Sequence, residues 1–462
     1  MPTPPAPRHS SRASAPRHDR DDARARAATE LLARVRRELG MGSDDDISEP
    51  TRPSAVPLPS RLSVGELAWA SVGAAMLAAG RSPADIDPQR VATAYRSDRV
   101  LTIDGATPPV WSPYSGFWST SDGWIRTHGN YPHHAAGLRR GLRLHDDAGA
   151  DAVASALAER PAADAVSDIS TAGGLAVPVS SEAPELDRSL RQSPLVDVRR
   201  VEAPADPRAR PSHHRPPAQL PLRGIRILDL TRVIAGPVCT RTLALLGADV
   251  LRIDPPQLPE PEWQHLDTGH GKRSAVMDAR TARLHELLAE ADAVVLGYRP
   301  AALIRLGLDP DVLVHRYPGL VVAQLSAWGA EHPDRAGFDS LVQAESGIAL
   351  VESSDGVRPG ALPAQALDHS AGYLLAAAVT TVLERRAREG GSWRVRASLR
   401  RVAAELLGMP RRREPQVPTE FDPAPHVARF DVDGRSLVTS RPALAGFEFD
   451  APHTWGSDQP VW

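Results

Sequence analysis

The sequence predicts an α/β fold, because short apolar runs alternate with helical segments between residues 220 and 409. Ile225–Leu230 is rich in branched residues and predicts a buried parallel strand. The turn at 235–237 places a proline where a helix can begin, and Gly247 ends that helix. Strands separated by helices at this spacing indicate right-handed crossovers and a doubly wound parallel sheet. The other predicted elements are helices over Val238–Leu246 and Ala282–Ala289 and strands over Val250–Ile253, Ala293–Leu296 and Leu320–Leu325.

A doubly wound sheet binds its ligands at the carboxyl ends of its strands. We therefore expect a site beside the loop that follows the first strand. The sequence has no GxGxxG pattern in that loop. This disfavours a nicotinamide or flavin dinucleotide as the ligand.

Composition limits the class of protein. The chain of 462 residues is 42% hydrophobic and 24% charged, which excludes a wholly disordered chain. Its net charge of -3 gives no global attraction to nucleic acid or anionic lipid. The single cysteine, Cys239, excludes an intrachain disulfide framework and a cysteine-based zinc site. Without a membrane-length apolar run or a secretory signal, we expect a cytoplasmic protein with no membrane partner.

Shifts in composition divide the chain into five parts. Residues 1–26 are too poor in large apolar side chains to bury a core, and Asp22–Leu39 predicts a short amphipathic helix. Further along, Gly65–Ala79 predicts a helix and Gly123–Thr127 a strand. The predicted parts are a disordered tail with one helix at 1–56, a first folded region at 57–202, a linker at 203–219, a second folded region at 220–409 and an irregular tail at 410–462.

The second folded region resembles the class III CoA-transferases, a family that includes carnitine–CoA and formyl-CoA transferases and alpha-methylacyl-CoA racemases. The resemblance implies a Rossmann-type large domain with a smaller α/β domain. It also implies an acyl-CoA and a carboxylic acid as partners, coenzyme A as a substrate rather than a permanently bound cofactor, and a homodimer. Five segments carry it in the family's order: LPLRGIRILDLTRVIAGPVCTRTLALLGADVLRID (220–254), GHGKRSAVMD (269–278), ADAVVLGYRPAALIRLGLD (291–309), GFDSLVQAESGIAL (337–350) and ALDHSAGYLLAA (366–377).

The order of the regions departs from the family. Residues 104–200 resemble the smaller domain through TSDGWIRTHGNYPHH (120–134), yet they precede the large-domain start. GELAWASVGAAML (65–77) also lines up with GYLLAAAVTTVLE (372–384), so residues 61–100 resemble the end of a large domain. We expect a permuted chain or a truncated tandem, in which 57–202 combines a large-domain remnant with a small-domain-like region.

The resemblance places the family's catalytic aspartate at Asp368. This residue precedes the Ser370-Ala371-Gly372 turn into an apolar helix, where free backbone N–H groups favour a carboxylate. The local sequence alone is equally typical of a helix-capping aspartate. The implied activity is an acyl-CoA:carboxylate CoA-transferase that works through an aspartyl mixed anhydride and an aspartyl-CoA thioester.

The same resemblance implies the residues that contact coenzyme A. Val233, Ile234 and Ala235 form the loop against the coenzyme and the reacting carbonyl. Ile234 replaces the glutamine of formyl-CoA transferases, which suggests a larger or more apolar acyl group. Cations pair with phosphate groups and tyrosine can stack against adenine, although each side chain could equally be a solvated surface residue. The candidates at family positions near the coenzyme are Arg252, Lys272, Arg273, Tyr298 and Arg299.

Three other interpretations remain. His133-His134 and His213-His214 have no further ligand at a matching spacing, so we expect no metal site. A racemase would need a histidine where this chain has Phe338, and a phenyl ring cannot carry a proton. A permuted chain could also serve as a non-catalytic, CoA-binding partner subunit.

Overall fold

The computed structural model describes residues 17–42, 53–202, 220–414 and 421–462. The predicted linker at 203–219 and residues 1–16 and 43–52 of the predicted N-terminal tail therefore lie outside the described residues. The strands are β1 Thr102–Ile103, β2 Phe117–Ser119, β3 Trp124–Thr127, β4 Ala176–Pro178, β5 Asp197–Val201, β6 Arg226–Leu230, β7 Asp249–Asp254, β8 Lys272–Val276, β9 Ala293–Leu296, β10 Val321–Ser326, β11 Ser392–Ser398, β12 Val427–Val432 and β13 Arg435–Ser440.

A seven-stranded sheet in the order β5-β11-β10-β9-β6-β7-β8 forms the centre of the large domain. Every neighbouring pair is parallel except β5 with β11, which is antiparallel. In chain order from β6, the six parallel strands are arranged 3-2-1-4-5-6, which is the order of doubly wound nucleotide-binding domains. The predicted fold class is confirmed, and each of its four predicted strands is present to within a residue or two.

Helices cover both faces of this sheet. On one face α16 packs between α9 and α2 through an interface that is mainly apolar. The helices are α1 Arg17–Leu39, α2 Val64–Ala78, α3 Pro88–Tyr95, α4 Ser97–Val100, α5 Pro132–Gly141, α6 Ala150–Ala158, α7 Ala162–Thr171, α8 Pro184–Arg191, α9 Ala235–Leu245, α10 Glu262–Thr268, α11 Ala282–Glu290, α12 Pro300–Arg305, α13 Pro310–Arg316, α14 Asp339–Glu345, α15 Ile348–Val351, α16 Ala366–Glu389 and α17 Leu399–Gly408.

The long helix α16 is apolar along most of its length. By length and composition alone it could cross a membrane, but its apolar window is entirely buried inside the protein. Gly372 explains how closely α16 approaches α9, because a Cβ at this position would lie 2.6 Å from the carbonyl oxygen of Ala235. This close contact sets the start of α16 against the loop that follows β6.

The smaller domain is built on the antiparallel sheet β2-β3-β4. Helices α5, α6 and α7 pack on it and enclose a separate apolar core around Ile125, Leu138 and Ile169. Its sequence lies before the first strand of the large domain, as the resemblance suggested. The chain therefore has an α/β large domain and a smaller α/β domain.

Both ends of the described chain differ from the sequence-based expectation. The predicted short helix near Asp22–Leu39 is the 23-residue α1, whose Leu31, Val35 and Leu39 are buried in the main core. The prediction of an irregular tail over 410–462 is wrong, because β12 and β13 form a hairpin that pairs with β1. Asp433 and Gly434 connect the hairpin with φ of 51° and 79°, as a tight turn between twisted strands requires.

Candidate active site

A cavity of about 760 Å³ lies at the carboxyl ends of the parallel strands, where the sheet topology predicts a ligand site. Its wall includes Leu230, Ile253 and Leu325, which lie at or near the ends of β6, β7 and β10. The smaller domain closes the opposite side with Tyr131 and the segment 173–177. The cavity is therefore a cleft between the two domains.

Asp368 lies in the wall of this cavity together with Val233 and Ala235. Its side chain is buried, with 6% of the residue exposed, in the first turn of α16. The helix begins at Ala366, so Asp368 is not the capping residue that the local sequence suggested. Instead, the backbone N–H of Asp368 donates to Oδ2 of Asp339 at 2.9 Å, and Asp339 caps the helix from a neighbouring element.

The two acids have different electrostatic surroundings. Burial raises the pKa of Asp339 to about 6, and the Gln343 side-chain amide, the backbone N–H groups of Leu367 and Asp368 and the charge of Arg126 oppose this rise. Burial and the neighbouring charge of Asp339 raise the pKa of Asp368 well above its usual range. Asp339 consequently ionises first, and Asp368 keeps its proton to higher pH.

The loop after β6 has an unusual backbone conformation. Val233 has a φ of +73°, which costs a β-branched residue about 1–3 kcal/mol. The buried carboxylate of Glu260 holds the loop in this form, since it accepts the backbone N–H of Val233 at 3.0 Å. Glu260 also accepts Arg232 Nε at 2.8 Å and the Tyr131 hydroxyl at 3.2 Å. A residue of the smaller domain, Tyr131, is thereby tied to the loop beside Asp368.

Three of the cations predicted to contact coenzyme A do not line this cavity. Arg252 forms two hydrogen bonds with the Asp254 carboxylate, at 2.7 and 2.9 Å. Lys272 Nζ is buried between Asp229 Oδ2 at 3.0 Å and Thr240 Oγ1 at 2.6 Å, and burial lowers its pKa to about 8. Arg273 pairs with Asp249 at 2.8 Å, and its guanidinium group lies against the Trp462 ring. Their placement supports a structural role and not the predicted phosphate contact.

Tyr298 and Arg299, in contrast, line the cavity. The Tyr298 hydroxyl is buried and has no hydrogen-bond partner among the described residues, and burial raises its pKa. Arg299 donates to the carbonyl oxygen of Asp334 at 3.3 Å and remains partly exposed at the rim. Both side chains are therefore available to a ligand in the cleft.

Several wall residues were not identified from the sequence. Arg280 follows the carboxyl end of β8, a position that the sheet topology alone could have marked. His134 also lines the cavity, and burial lowers its pKa to about 3, so its ring is neutral. The described residues contain no group of three or more His, Cys, Asp or Glu side chains suited to a metal ion. The further wall residues with polar side chains are His133, Ser170, Arg232, Gln257, Asp278, Ser326, Asp334 and Arg335.

A second, much smaller chamber of about 30 Å³ adjoins the cavity. Asp368, Val233, Tyr131 and Phe338 border both spaces, so the acid lies where they meet. Ile234 lines only this chamber and does not line the large cavity. The three predicted loop residues therefore all lie near Asp368. Ala235 lines the large cavity, Ile234 lines the small chamber and Val233 lines both.

Part of the chain is similar to known proteins. Residues 222–423 match the model of CoA-transferase family III. A probable fatty acyl-CoA transferase of Mycobacterium tuberculosis is 33% identical over 205 residues, covering 40% of this chain and 52% of the relative. An (R)-2-hydroxy-4-methylpentanoate CoA-transferase of Clostridioides difficile is 29% identical over 209 residues, covering 40% and 50%.

A crystal structure of the M. tuberculosis protein matches with a TM-score of 0.38 and 34% identity, covering 41% of this chain and 58% of that one. The chain spans about half the length of the curated relatives that it matches. The family match includes the loop after β6, Asp339 and Asp368. Residues 222–423 of this chain are therefore similar to CoA-transferase family III.

Proposed function

We propose that the protein is an acyl-CoA:carboxylate CoA-transferase with Asp368 as its nucleophile. The observation that carries this proposal is the position of Asp368, buried between the interdomain cleft and the small chamber. A carboxylate at this position can contact the thioester of an acyl-CoA that is bound in the cleft. The surrounding protein limits the water that would hydrolyse an aspartyl anhydride.

The reaction proceeds by successive attacks at the carbonyl carbons of the donor acyl group, of Asp368 and of the acceptor acyl group. An oxygen of ionised Asp368 attacks the acyl-CoA carbonyl, and the coenzyme thiolate leaves as the mixed anhydride forms. The thiolate then attacks the aspartyl carbonyl, which gives an aspartyl-CoA thioester and releases the first acid as a carboxylate. The acceptor carboxylate attacks that thioester, and the freed thiolate takes the new acyl group from the resulting anhydride. Asp368 returns to its starting state.

Coenzyme A is a substrate here and occupies the cleft only during turnover. Arg280 and Arg299 line the cleft, and guanidinium groups suit the phosphates of the coenzyme. Tyr298 offers a ring beside them for the adenine. The loop of Val233 and Ala235 lies next to Asp368, where the thioester carbonyl must come. We also propose a homodimer, since the family resemblance implies one, and sedimentation analysis would test it.

Trapping of the enzyme-bound intermediate tests the proposal. The protein is incubated with an acyl-CoA, treated with hydroxylamine or borohydride, and digested for mass spectrometry of the peptide that contains residue 368. We expect a modified Asp368 in the wild type and none in Asp368→Asn, while both proteins still bind coenzyme A. An unmodified wild-type peptide together with intact binding of coenzyme A would favour the non-catalytic partner subunit.

A racemase needs a side chain that carries a proton, which Phe338 cannot do. A nearby histidine is a candidate for this role. His128 lines the small chamber with Asp368, and its ring stacks on Phe338 with centroids 3.8 Å apart. Burial lowers the pKa of His128 to about 3, which makes it a weak base, and the transferase remains the better-supported function. Incubation of a chiral 2-methylacyl-CoA in deuterated water tests this second candidate, since uptake of α-deuterium that His128→Phe abolishes would establish it.

A further inference from the structure

The small chamber beside Asp368 can hold only a compact group. Its volume is about 30 Å³. A water molecule needs roughly 10–15 Å³ on this measure, so the chamber has room for about two or three non-hydrogen atoms. The carbonyl carbon of an acyl group attacked by Asp368 lies at the mouth of this space. Only the atoms beyond the carbonyl have to fit inside.

The walls of the chamber are formed largely by bulky side chains, of which Trp111 is 39% exposed. Ile234, Trp111, Trp263 and Phe338 line it, and Phe338 is itself stacked against His128. Ile234 follows the strained Val233, whose N–H is fixed by Glu260. A longer chain would therefore have to displace aromatic rings or the constrained loop. The expectation that Ile234 accompanies a larger acyl group does not agree with this geometry.

The chamber is also partly polar. His128 is only 5% exposed, and its Nδ1 has no hydrogen-bond partner among the described residues. Buried polar atoms nearly always have a partner, so this nitrogen indicates a missing ligand group. Asp98 lines the same space, and its carboxylate, like that of Asp368, repels a second anion. A hydroxyl group suits both residues, because it can donate to one and accept from the other.

We propose that this chamber is the acyl subsite and that it selects short hydroxy acids of about two or three carbons. The inference rests on the proposed function, since it takes Asp368 as the nucleophile. The hydroxyl group of the substrate lies between Asp98 and His128. The coenzyme portion remains in the interdomain cleft, on the other side of Asp368.

Donor preference in the trapping reaction tests this inference. Glycolyl-CoA, lactoyl-CoA, propionyl-CoA and octanoyl-CoA are compared by the initial rate at which Asp368 becomes modified. We expect the two hydroxyacyl donors to react at least tenfold faster than propionyl-CoA, and octanoyl-CoA to be slowest. A rate with octanoyl-CoA equal to that of the short donors would overturn the subsite but leave the transferase intact. Modification by none of the four would overturn both.

Variants of the chamber wall give an independent test. Trp263→Ala and Ile234→Ala should each raise the rate of Asp368 modification by octanoyl-CoA at least tenfold relative to the rate with lactoyl-CoA. Ile234→Ala is the milder substitution and replaces Trp263→Ala in the test if that variant does not fold. His128→Phe should remove the preference for lactoyl-CoA over propionyl-CoA while modification by propionyl-CoA continues. Trp462→Ala, which lies outside the chamber, is the matched control and should keep the wild-type order of donors. Unchanged selectivity in all three wall variants would overturn the proposal.

Discussion

The carboxylate of Asp339 accepts the backbone N–H of Asp368 at 2.9 Å, so two acids share one buried site at the start of α16. Asp339 is the better stabilised of the two, because it also accepts the side-chain amide of Gln343. It is therefore the residue that carries the charge when only one of them is ionised. Asp368 must lose its proton before it can attack a thioester, and Asp339 makes that loss harder.

Asp339→Asn should move the activity of Asp368 to lower pH. Removal of the neighbouring negative charge lowers the pKa of Asp368, while the asparagine oxygen can still accept the helix N–H. We expect the rate of Asp368 modification to rise with pH in both proteins, with the midpoint about one pH unit or more lower in the variant. The measurement is the amount of the hydroxylamine-modified peptide containing residue 368 that forms at each pH. A midpoint that does not move would show that Asp339 leaves the ionisation of Asp368 unaffected.

The shared acidic site should make the folded protein less stable as the pH rises. Both carboxyls have raised pKa values in the folded state, so the native protein binds more protons than the unfolded chain above about pH 4. Stability is then lost as the pH increases through 6, the pKa of Asp339. Asp368→Asn should raise the melting temperature at pH 8 by a few degrees and reduce the difference between pH 5 and pH 8. Asp151→Asn, at an exposed position in α6, should leave both unchanged.

Substitution of Lys272 should affect the stability of the fold, whereas substitution of Arg280 should affect the binding of coenzyme A. Lys272→Met leaves Asp229 buried without its cation and should cost about 3–5 kcal/mol of unfolding free energy. Arg280→Met removes a cation from the cleft wall and should weaken binding of coenzyme A severalfold with little change in stability. Urea denaturation and titration with coenzyme A measure the two effects. If Lys272→Met kept its stability and lost coenzyme binding, the phosphate role expected from the family resemblance would be restored.

Val233→Gly should relieve the strain in the loop after β6. Glycine adopts a φ of +73° without steric cost, so we expect a gain of about 1 kcal/mol in unfolding free energy. Val233→Ala removes the branched side chain but retains the Cβ, and it should gain less. The same glycine should slow the modification of Asp368, because the loop loses its fixed conformation. Equal stability of the glycine and alanine variants would argue against backbone strain at this residue.

The strands of the sheet could be predicted from the sequence, but the residues that pair with the buried charged side chains could not. Continuous apolar runs such as Ala293–Leu296 predicted the parallel strands correctly, because such strands are buried on both faces. Lys272 looked like a phosphate contact because its buried partner, Asp229, lies 43 residues away and only the folded chain brings them together. Glu260 was missed for the same reason, since its contacts with Tyr131 and Val233 join distant segments. The Asp433-Gly434 turn was a local hairpin signal that the sequence analysis overlooked.

The antiparallel strand β5 and the helix α2 both come from the chain before residue 203, yet they complete the family III region. Without them, the edge of β11 would offer unpaired amides and α16 would present an apolar side to water. A recombinant fragment starting at residue 220 should therefore aggregate when expressed by itself. Co-expression with residues 17–202 should restore a soluble, noncovalent pair.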